Sequence, residues 1–458
     1  MIFIIFLISI LNIIIFRNNP KNLIFYLLIL FPYFGLVEIY LRNFTILYSI
    51  FYDFIFIIPI YCLYFFKINK YSNFIELKKI SILIFVYILF HLLYIFIPNS
   101  SSPFPARLIG LKVWVFYIYF IYIGFYFLET KEDFKKIINI LSLGTIIPCI
   151  ILSIQFFITI VYGHEYAFFL INDKNLASDL SQGFSSFSLG PIKVYRLNST
   201  FSFLTELSNY LYSSLVPVIT SLYLNNKSKY LLLNKLALIL VLVGLFMSGS
   251  RSVFMYLPIL LFFYIYFKKG FKFFVLYLIF FICFFIFFYL FNILYFKDFM
   301  DEYYILFSSY SNMVTANLFD FIISHFWGNG VGTATGEVRF LYPIDYANDP
   351  ATRAVYERYY YKIIYETGFI GLLAYIFITL KYISYPLKLL TSNIALVYKV
   401  FASISLSFLI MVFYLFAFKS FNTDIFPITF IKFFLIGILL KIYFLRDGEF
   451  KIEQSIDR

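Results

Sequence analysis

Long apolar runs alternate with short polar segments along the whole chain. Most runs are about as long as the roughly 20 residues that an α-helix needs to cross a bilayer. Only helices satisfy their own backbone in lipid at this length. The pattern therefore predicts an all-α polytopic membrane protein, a bundle of about 12–13 transmembrane helices in one integral membrane domain, 1–458. The predicted spans, of which the two shortest fit re-entrant segments as well, are 1–16, 23–41, 44–66, 80–97, 113–128, 137–162, 201–224, 231–247, 252–267, 273–296, 363–380, 394–418 and 425–445.

Composition supports this prediction. Hydrophobic residues make up 62% of the 458 residues and charged residues only 13%, whereas about 25% of a soluble domain is charged. The three cysteines (Cys62, Cys149 and Cys283) lie inside apolar runs without metal-ligand spacing, which argues against a disulfide framework or a zinc site. The first apolar run lacks a basic leader and a cleavage motif, so we expect a retained span.

Lysine placement predicts the orientation of the bundle. Lysines cluster in alternate loops and in the C-terminal tail, which by the positive-inside rule are cytoplasmic; the loops are 67–79, 129–136, 225–235 and 268–272. The two longest loops, 163–200 and 297–362, then face the periplasm or the cell exterior. We therefore expect a multi-pass protein of a bacterial inner (cytoplasmic) membrane.

Arginine follows the opposite trend. Seven of the ten arginines fall on the predicted outer side, but only about six of the 26 lysines do. Arginine binds phosphate oxygens with a planar fork and stays ionised at any relevant pH. Interfacial snorkelling explains any one of these residues, while the set favours recognition of an anionic headgroup or diphosphate. The outer arginines are Arg42, Arg107, Arg196, Arg251, Arg339, Arg353 and Arg358.

The first polar constellation is residues 194–210, where an outer loop meets a span. Arg196 precedes the span, and Glu206, Ser208 and Asn209 occupy its first turns. Polar groups at this depth are costly and usually face a cavity or a partner. A structural Arg196–Glu206 pair and a direct substrate contact remain equally open.

The second constellation is the Met247-Ser-Gly-Ser-Arg-Ser252 turn between two spans. So short an outer turn holds Arg251 close to the bilayer surface, among hydroxyls and backbone N–H groups. This position suits a prenyl-linked diphosphate, because its lipid lies in the membrane and its phosphates lie at the interface. The alternative is a Gly-Ser turn with a snorkelling arginine.

The third constellation spans the long outer loop and the start of the next span. The glycine cluster 328–332 is not preceded by a strand and is not followed by the Gly-Lys-Ser/Thr sequence of nucleotide-binding loops. A turn at the membrane surface is therefore its favoured role. Trp327 and tyrosines 359–361 could stack on sugar rings or form an interfacial aromatic belt. The candidate substrate-binding residues are His325, Arg339, Arg353, Arg358 and Glu366, and Glu357 is a candidate catalytic group.

Several chemical motifs are missing from the sequence. It has no Asp-x-Asp, no His-Glu-x-x-His and no Gly-x-Ser-x-Gly, and its three histidines form no ligand pattern. We therefore expect no metal, no cofactor and no nucleic-acid partner. Chemistry here would use a donor activated beforehand and presented on the outer face.

In their order and spacing, the three constellations resemble the O-antigen polymerase/ligase superfamily. Its members have about a dozen spans, a large outer loop in the C-terminal third, an arginine after the first long outer loop and a Ser-Arg turn two spans later. A Gly-x-Gly element and a Glu-x-Gly-x-x-Gly segment follow. The corresponding positions here are Arg196, Ser250-Arg251, Gly328-Asn-Gly-Val-Gly332 and Glu366-Thr-Gly-Phe-Ile-Gly371.

The resemblance implies glycosyl transfer, in lipopolysaccharide biosynthesis, from an undecaprenyl-diphosphate-linked oligosaccharide. Arg196 and Arg251 would bind the diphosphate and stabilise its charge as it leaves, without a metal. The acceptor hydroxyl also needs a general base, for which Glu206, Glu357 and Glu366 are candidates. Ligases usually carry a histidine shortly before the Glu-x-Gly segment, where this chain has Arg358-Tyr-Tyr-Tyr-Lys362.

This difference favours a repeat-unit polymerase for O-antigen or capsule. Its expected partners are membrane lipid and a flippase, and a chain-length regulator is a further candidate. An O-antigen ligase is the first alternative. A lipid-linked oligosaccharide flippase or transporter is the second, although few charges fall at mid-span (Asp53, Glu206 and Lys432). A sensor or structural protein is the third, and it leaves the arginine distribution unexplained.

Overall fold

The computed structural model describes most of the chain. The described residues are 2–41, 51–65, 75–96, 103–169, 186–189, 192–201, 204–225, 230–250, 252–270, 272–273, 275–279, 318–335, 359–415 and 428–445.

Helices make up nearly all of this structure. In the first half of the chain they are α1 (Ile2–Phe16), α2 (Pro20–Leu30), α3 (Phe34–Leu41), α4 (Ile58–Phe65), α5 (Ile75–Leu93), α6 (Phe104–Val115), α7 (Phe120–Phe127), α8 (Lys131–Leu143), α9 (Ile146–Tyr162) and α10 (His164–Phe169). In the second half they are α11 (Leu204–Leu224), α12 (Leu231–Met247), α13 (Ser252–Lys269), α14 (Leu318–Ser324), α15 (Tyr359–Thr391), α16 (Leu396–Ile410) and α17 (Ile428–Leu445).

Short 3-10 or π-helical turns connect several of these helices. Phe31–Tyr33 joins α2 to α3, Phe116–Tyr119 joins α6 to α7, and Asp53–Ile57 leads into α4. Tyr94–Phe96 follows α5, and Met411–Leu415 follows α16. Several predicted spans are therefore built from two helical pieces that follow each other without a loop.

The membrane prediction is confirmed: the chain is an all-α polytopic membrane protein. Within the described residues, seven helical stretches are long and apolar enough to cross a bilayer by length and composition. They are Pro20–Val37, Ile75–Phe96, Phe104–Phe127, Lys131–Tyr162, Tyr359–Thr391, Leu396–Tyr414 and Ile428–Leu445. Shorter apolar helices cover Phe3–Phe16, Asp53–Phe65 and Leu231–Met247.

Several elements depart from the predicted boundaries. Helices begin at Ile75, Phe104 and Lys131 where the predicted spans begin at 80, 113 and 137, and α15 ends at Thr391 where the predicted span ends at 380. An antiparallel hairpin, β1 (Ser186–Leu189) and β2 (Ile192–Tyr195), lies in the predicted outer loop 163–200 and pairs Ser186 with Tyr195. The helix after the long outer loop begins at Tyr359, four residues before the predicted span, and Tyr361 and Lys362 are buried in it. Its early start carries the tyrosine run from the predicted loop into the bundle.

Two sets of ion pairs join residues near the ends of predicted spans. The Lys21 ammonium lies 2.7 Å from both the Glu129 and the Asp133 carboxylates. Asp133 also completes a capping box with Thr130 at the start of α8. The second connection joins Lys381, in the C-terminal third of α15, to Glu76 at 3.1 Å. Each contact thus joins two segments that the predicted order of spans places on one side of the membrane, and the identity of that side stays a prediction.

Helices α7 and α17 approach each other through glycines. A Cβ added at Gly124 would lie 2.4 Å from the carbonyl oxygen of Phe434, and one at Gly437 would lie 2.2 Å from that of Ile121. Helices inside a bilayer gain stability from such close packing, because the hydrophobic effect does not drive them together there. The two glycines therefore set the distance between these helices.

Substitution of these glycines tests the contact. We expect Gly124→Ala and Gly437→Ala to lower the thermal unfolding temperature of the detergent-solubilised protein, because each methyl group would force the two backbones apart. Overpacking of this kind costs about 1–3 kcal/mol. Gly244→Ala is the matched control, since its Cβ would meet nothing closer than 3.4 Å. Equal unfolding temperatures for all three variants would contradict the proposed contact.

Cysteine labelling tests the predicted orientation. Trp327, in the long outer loop, and Lys135, in the loop 129–136, are both exposed. On a background without native cysteines, a membrane-impermeant maleimide should label Trp327→Cys in intact spheroplasts. It should label Lys135→Cys only after the membrane is permeabilised. The reverse pattern would invert the topology.

Candidate functional site

The structure describes four of the nine predicted site residues: Arg196, Glu206, His325 and Glu366. The other five lie outside the described residues, and their roles stay predictions: Arg251, Arg339, Arg353, Glu357 and Arg358. Two irregular segments carry or contact the described candidates. One is residues 195–201, named here the arginine segment, and the other is residues 328–335, named the glycine segment.

The arginine segment lies directly against the turn that precedes Arg251. The backbone N–H of Leu197 donates to the carbonyl oxygen of Ser248 over 3.2 Å. Gly249 adopts φ +64°, and a Cβ there would lie 2.9 Å from the Cα of Arg196. The structure therefore brings together the turns that carry the first two sequence motifs, which are about 50 residues apart in the chain.

Buried hydrogen bonds hold the rest of the arginine segment. The Gln155 side-chain oxygen accepts from the backbone N–H of Ser199 over 2.8 Å. The Ser199 hydroxyl donates to the carbonyl oxygen of Pro148 over 2.6 Å, and the Thr200 hydroxyl donates to that of Pro32 over 2.5 Å. Helix α9 and the 3-10 turn between α2 and α3 thus fix the backbone on the C-terminal side of Arg196.

The helix that follows the arginine segment begins with buried polar groups. Glu206 lies in the first turn of α11 and is 8% exposed, and Ser208 and Asn209, which follow shortly after it, are also buried. Directly before Arg196, the Tyr195 ring stacks on His164 with centroids 4.1 Å apart. Along the chain, Arg196 is therefore flanked by an aromatic pair and by a helix that begins with buried polar groups.

The glycine segment is wedged between α6 and α15. Gly332 adopts φ +87°, and a Cβ there would lie 2.3 Å from the carbonyl oxygen of Ala106. A side chain at this position would meet backbone as well as an unfavourable conformation. The backbone N–H groups of Asn329 and Gly330 donate to the carbonyl oxygens of Tyr365 and Glu366.

Helix α15 is broken where it receives the glycine segment. Gly368 has non-helical angles (φ 73°, ψ −173°), and the N–H of the next residue, Phe369, donates to the carbonyl oxygen of Phe326. The kink frees the carbonyl groups of Tyr365 and Glu366 for the glycine segment. The Glu-x-Gly motif is thus the point where two non-helical backbones bond to each other.

The Glu366 carboxylate is the centre of this contact. It is fully buried. The Trp114 indole N–H donates to Oε2 over 2.5 Å. The Ala334 backbone N–H and the Thr335 hydroxyl donate to Oε1 over 2.8 and 3.0 Å. Both oxygens therefore accept hydrogen bonds, and the carboxylate joins α6, α15 and the glycine segment.

A buried cation lies beside this carboxylate. Lys362 is one helical turn before Glu366 and acts on it electrostatically, and its ammonium lies 5.3 Å from the centroid of the Trp114 ring. The His91 and Tyr359 rings lie 5.1 and 5.7 Å from the same indole. Trp114 is therefore enclosed by rings and a cation while its N–H binds the carboxylate.

His325 lies at the outer edge of this arrangement. Its ring is 4.3 Å from Phe321 and 5.1 Å from Tyr365, and Nδ1 lies 2.9 Å from the Ser324 hydroxyl. The neighbouring Trp327 is 69% exposed, which leaves its face open for stacking. Among the residues that the structure covers, no three His, Cys, Asp or Glu side chains form a group that could hold a metal ion.

Sequence reasoning did not identify Gln155 or Trp114. Each lies inside an apolar span without a neighbouring motif, and each acts through a residue far away in the chain. A polar amide within the span 137–162 was the one available signal for Gln155, because such groups usually need a partner in the membrane. Trp114 gave no signal that distinguishes it from an interfacial tryptophan.

Comparison with known proteins gives one match. Residues 236–376 match the family model described as Wzy_C, O-antigen ligase. This match supports membership of the O-antigen polymerase/ligase superfamily and does not separate polymerases from ligases. It includes the Ser-Arg turn, the glycine segment and Glu366, whereas Arg196 precedes it. Neither the search of curated proteins nor the search of solved structures gave a match.

Replacement of Glu366 tests its role in holding the glycine segment. We expect Glu366→Ala to lower the stability of the solubilised protein strongly, because each unsatisfied buried donor costs about 1–3 kcal/mol. Glu366→Gln should cost less, since one oxygen still accepts hydrogen bonds. Glu132→Gln, at an exposed site, is the control and should stay within about 0.5 kcal/mol. Thermal unfolding in detergent would contradict this role if Glu366→Ala matched the control.

Proposed function

Because residues 236–376 carry an O-antigen polymerase/ligase superfamily domain, we propose that the protein is a repeat-unit polymerase for O-antigen or capsular polysaccharide. It transfers a growing glycan from its undecaprenyl-diphosphate carrier to the next lipid-linked unit on the outer face of the inner membrane. One observation carries this proposal: the Leu197–Ser248 hydrogen bond holds the arginine segment against the turn before Arg251.

The proposed reaction needs positive charge at one point. A hydroxyl of the acceptor sugar attacks the anomeric carbon of the donor, and a new glycosidic bond forms. The bond from that carbon to the diphosphate breaks, and the lipid diphosphate leaves with the electron pair. In this proposal Arg196 and Arg251 bind the diphosphate and stabilise its growing charge, which preorganised donors do most effectively.

The acceptor hydroxyl must also lose its proton to a base. Glu366 is poorly placed for this task, since both of its oxygens accept hydrogen bonds within the protein and its side chain is fully buried. Glu206, buried in the first turn after the arginine segment, and Glu357 remain the candidates. Outer-face arginines 339, 353 and 358, together with His325, are proposed to bind the glycan or its phosphates.

The polymerase is preferred over the ligase on one sequence difference. The chain has tyrosines and Lys362 where ligases usually carry a histidine, and Tyr361 and Lys362 are buried in α15 rather than open to a substrate. The matched family is described as O-antigen ligase, so the ligase is the alternative that the experiment must separate. A flippase is less favoured, because Asp53 is held by Lys112 at 2.8 Å and by Tyr117.

A deletion strain complemented with variants tests the two arginines. We expect Arg196→Ala and Arg251→Ala to reduce the surface-polysaccharide ladder by about 10²–10³-fold, the usual effect of removing one transition-state donor. Arg196→Lys should retain part of the activity, because lysine keeps the positive charge. It should not retain all of it, because lysine lacks the planar guanidinium that binds two phosphate oxygens at once. Arg17→Ala is the matched control, an exposed arginine near the predicted cytoplasmic end. Normal ladders from both arginine variants, at normal expression, would refute the proposal.

The deletion phenotype itself separates polymerase from ligase. Core carrying a single repeat unit indicates a missing polymerase. Bare core with polymer accumulating on the lipid carrier indicates a missing ligase. An unchanged ladder would exclude both activities for that glycan and favour a transporter.

A further inference from the structure

Gln155 reaches from the interior of α9 to the arginine segment. It is 1% exposed, and both ends of its amide are engaged. Oε1 accepts from the Ser199 backbone N–H over 2.8 Å, and Nε2 donates toward Asn198 Oδ1 and the Ala167 carbonyl oxygen, each at 3.4 Å. One buried side chain thus connects α9, α10 and the backbone three residues after Arg196.

The backbone that Gln155 holds is strained. Ser199 has φ +51° and is the described non-glycine residue with a positive φ. A serine pays a steric cost in this region. Such a conformation persists only where the surrounding structure fixes it. The hydrogen bond from the Ser199 N–H to Gln155 is one restraint, and the bond from its hydroxyl to Pro148 is another.

The same strained turn determines where Arg196 lies. Asn198 accepts from the Phe201 N–H and closes a tight turn, and its side chain donates to the Phe201 carbonyl oxygen. On the other side of this turn, Leu197 bonds to Ser248. A turn that relaxes at Ser199 would shift Leu197, and Arg196 with it, away from the turn before Arg251.

We propose that Gln155 is the positioning residue that places Arg196 beside the 248–250 turn and thereby allows both arginines to meet one diphosphate. The second half of this statement rests on the proposed function, and the first half does not. Gln155 acts through the backbone of the arginine segment and does not itself contact the substrate. Its amide is suited to the task because it supplies an acceptor and a donor without burying a charge.

Disulfide formation measures the position of the arginine segment without any activity. The 3.2 Å hydrogen bond between Leu197 and Ser248 is short enough for their Cα atoms to come within the roughly 7 Å that a disulfide requires. Leu197→Cys and Ser248→Cys are combined on a background in which the three native cysteines are alanine. A membrane-permeant oxidant is added, and cross-linking is scored on monodisperse, folded protein.

Gln155→Met, which keeps the length and removes the amide, should slow this cross-linking at least fivefold. Thr145→Val is the matched control, because it removes a buried hydroxyl hydrogen bond from the same span, to the Ser142 carbonyl oxygen. It should leave the rate unchanged. If Gln155→Met yields no folded protein, Gln155→Asn, one methylene shorter, replaces it with the same expectation. Unchanged cross-linking in the Gln155 variant would overturn the proposal.

Polymer synthesis then tests whether the position of Arg196 is what matters. Gln155→Met alone should lower ladder synthesis per folded protein at least tenfold, and Thr145→Val less than twofold. Added to Arg196→Lys, Gln155→Met should lower it by far less than it does alone, because both changes damage the same contact. Fully multiplicative losses would show a general structural role and overturn the positioning role.

The cross-linking experiment and the ladder experiment together separate this proposal from the proposed function. Slower cross-linking in the Gln155 variant, together with a normal ladder from Arg196→Ala, would support positioning and refute the diphosphate role of Arg196. Unchanged cross-linking in the Gln155 variant, together with a lost ladder from Arg196→Ala, would refute positioning by Gln155 and support the diphosphate role of Arg196.

Discussion

Irregular backbone at membrane depth is tolerated where it is buried in protein and its polar groups are hydrogen-bonded, and this constraint organises the part of the structure around the candidate site. Two non-helical segments pack against the helices there, and each is held by one buried polar side chain. Gln155 holds the arginine segment and Glu366 holds the glycine segment. Close backbone contacts at Gly249 and Gly332 complete the fit.

The two anchors differ in chemistry. The Gln155 amide supplies one acceptor and longer donor contacts, so it can hold a strained turn without a desolvated charge. The Glu366 carboxyl group accepts three hydrogen bonds, and Lys362 lies one helical turn away. The glycine segment is therefore anchored through a carboxyl group and the arginine segment through a neutral amide.

This difference bears on how a lipid-linked substrate would be accommodated. The glycine segment belongs to the predicted outer loop and follows His325 and the exposed Trp327 in the chain. The arginine segment, held by neutral contacts, places the group proposed to bind the diphosphate. The match to the O-antigen ligase family begins at residue 236, so Arg196 reaches the matched part of the chain only through tertiary contact.

The sequence alone determined that the chain crosses a membrane many times. Its apolar runs are long enough to span a bilayer, and its charged residues are too few to cover a water-soluble globule. The lysine pattern also predicted which loops share one side of the membrane. The motifs at Arg196, Ser250-Arg251 and Glu366 could be found because polar groups stand out at span ends. Only the tertiary structure decided that the first two motifs lie side by side and that Glu366 bonds to Trp114, 252 residues away in sequence. Hydropathy records the transfer energy of each residue separately, whereas these contacts depend on which helices pack together.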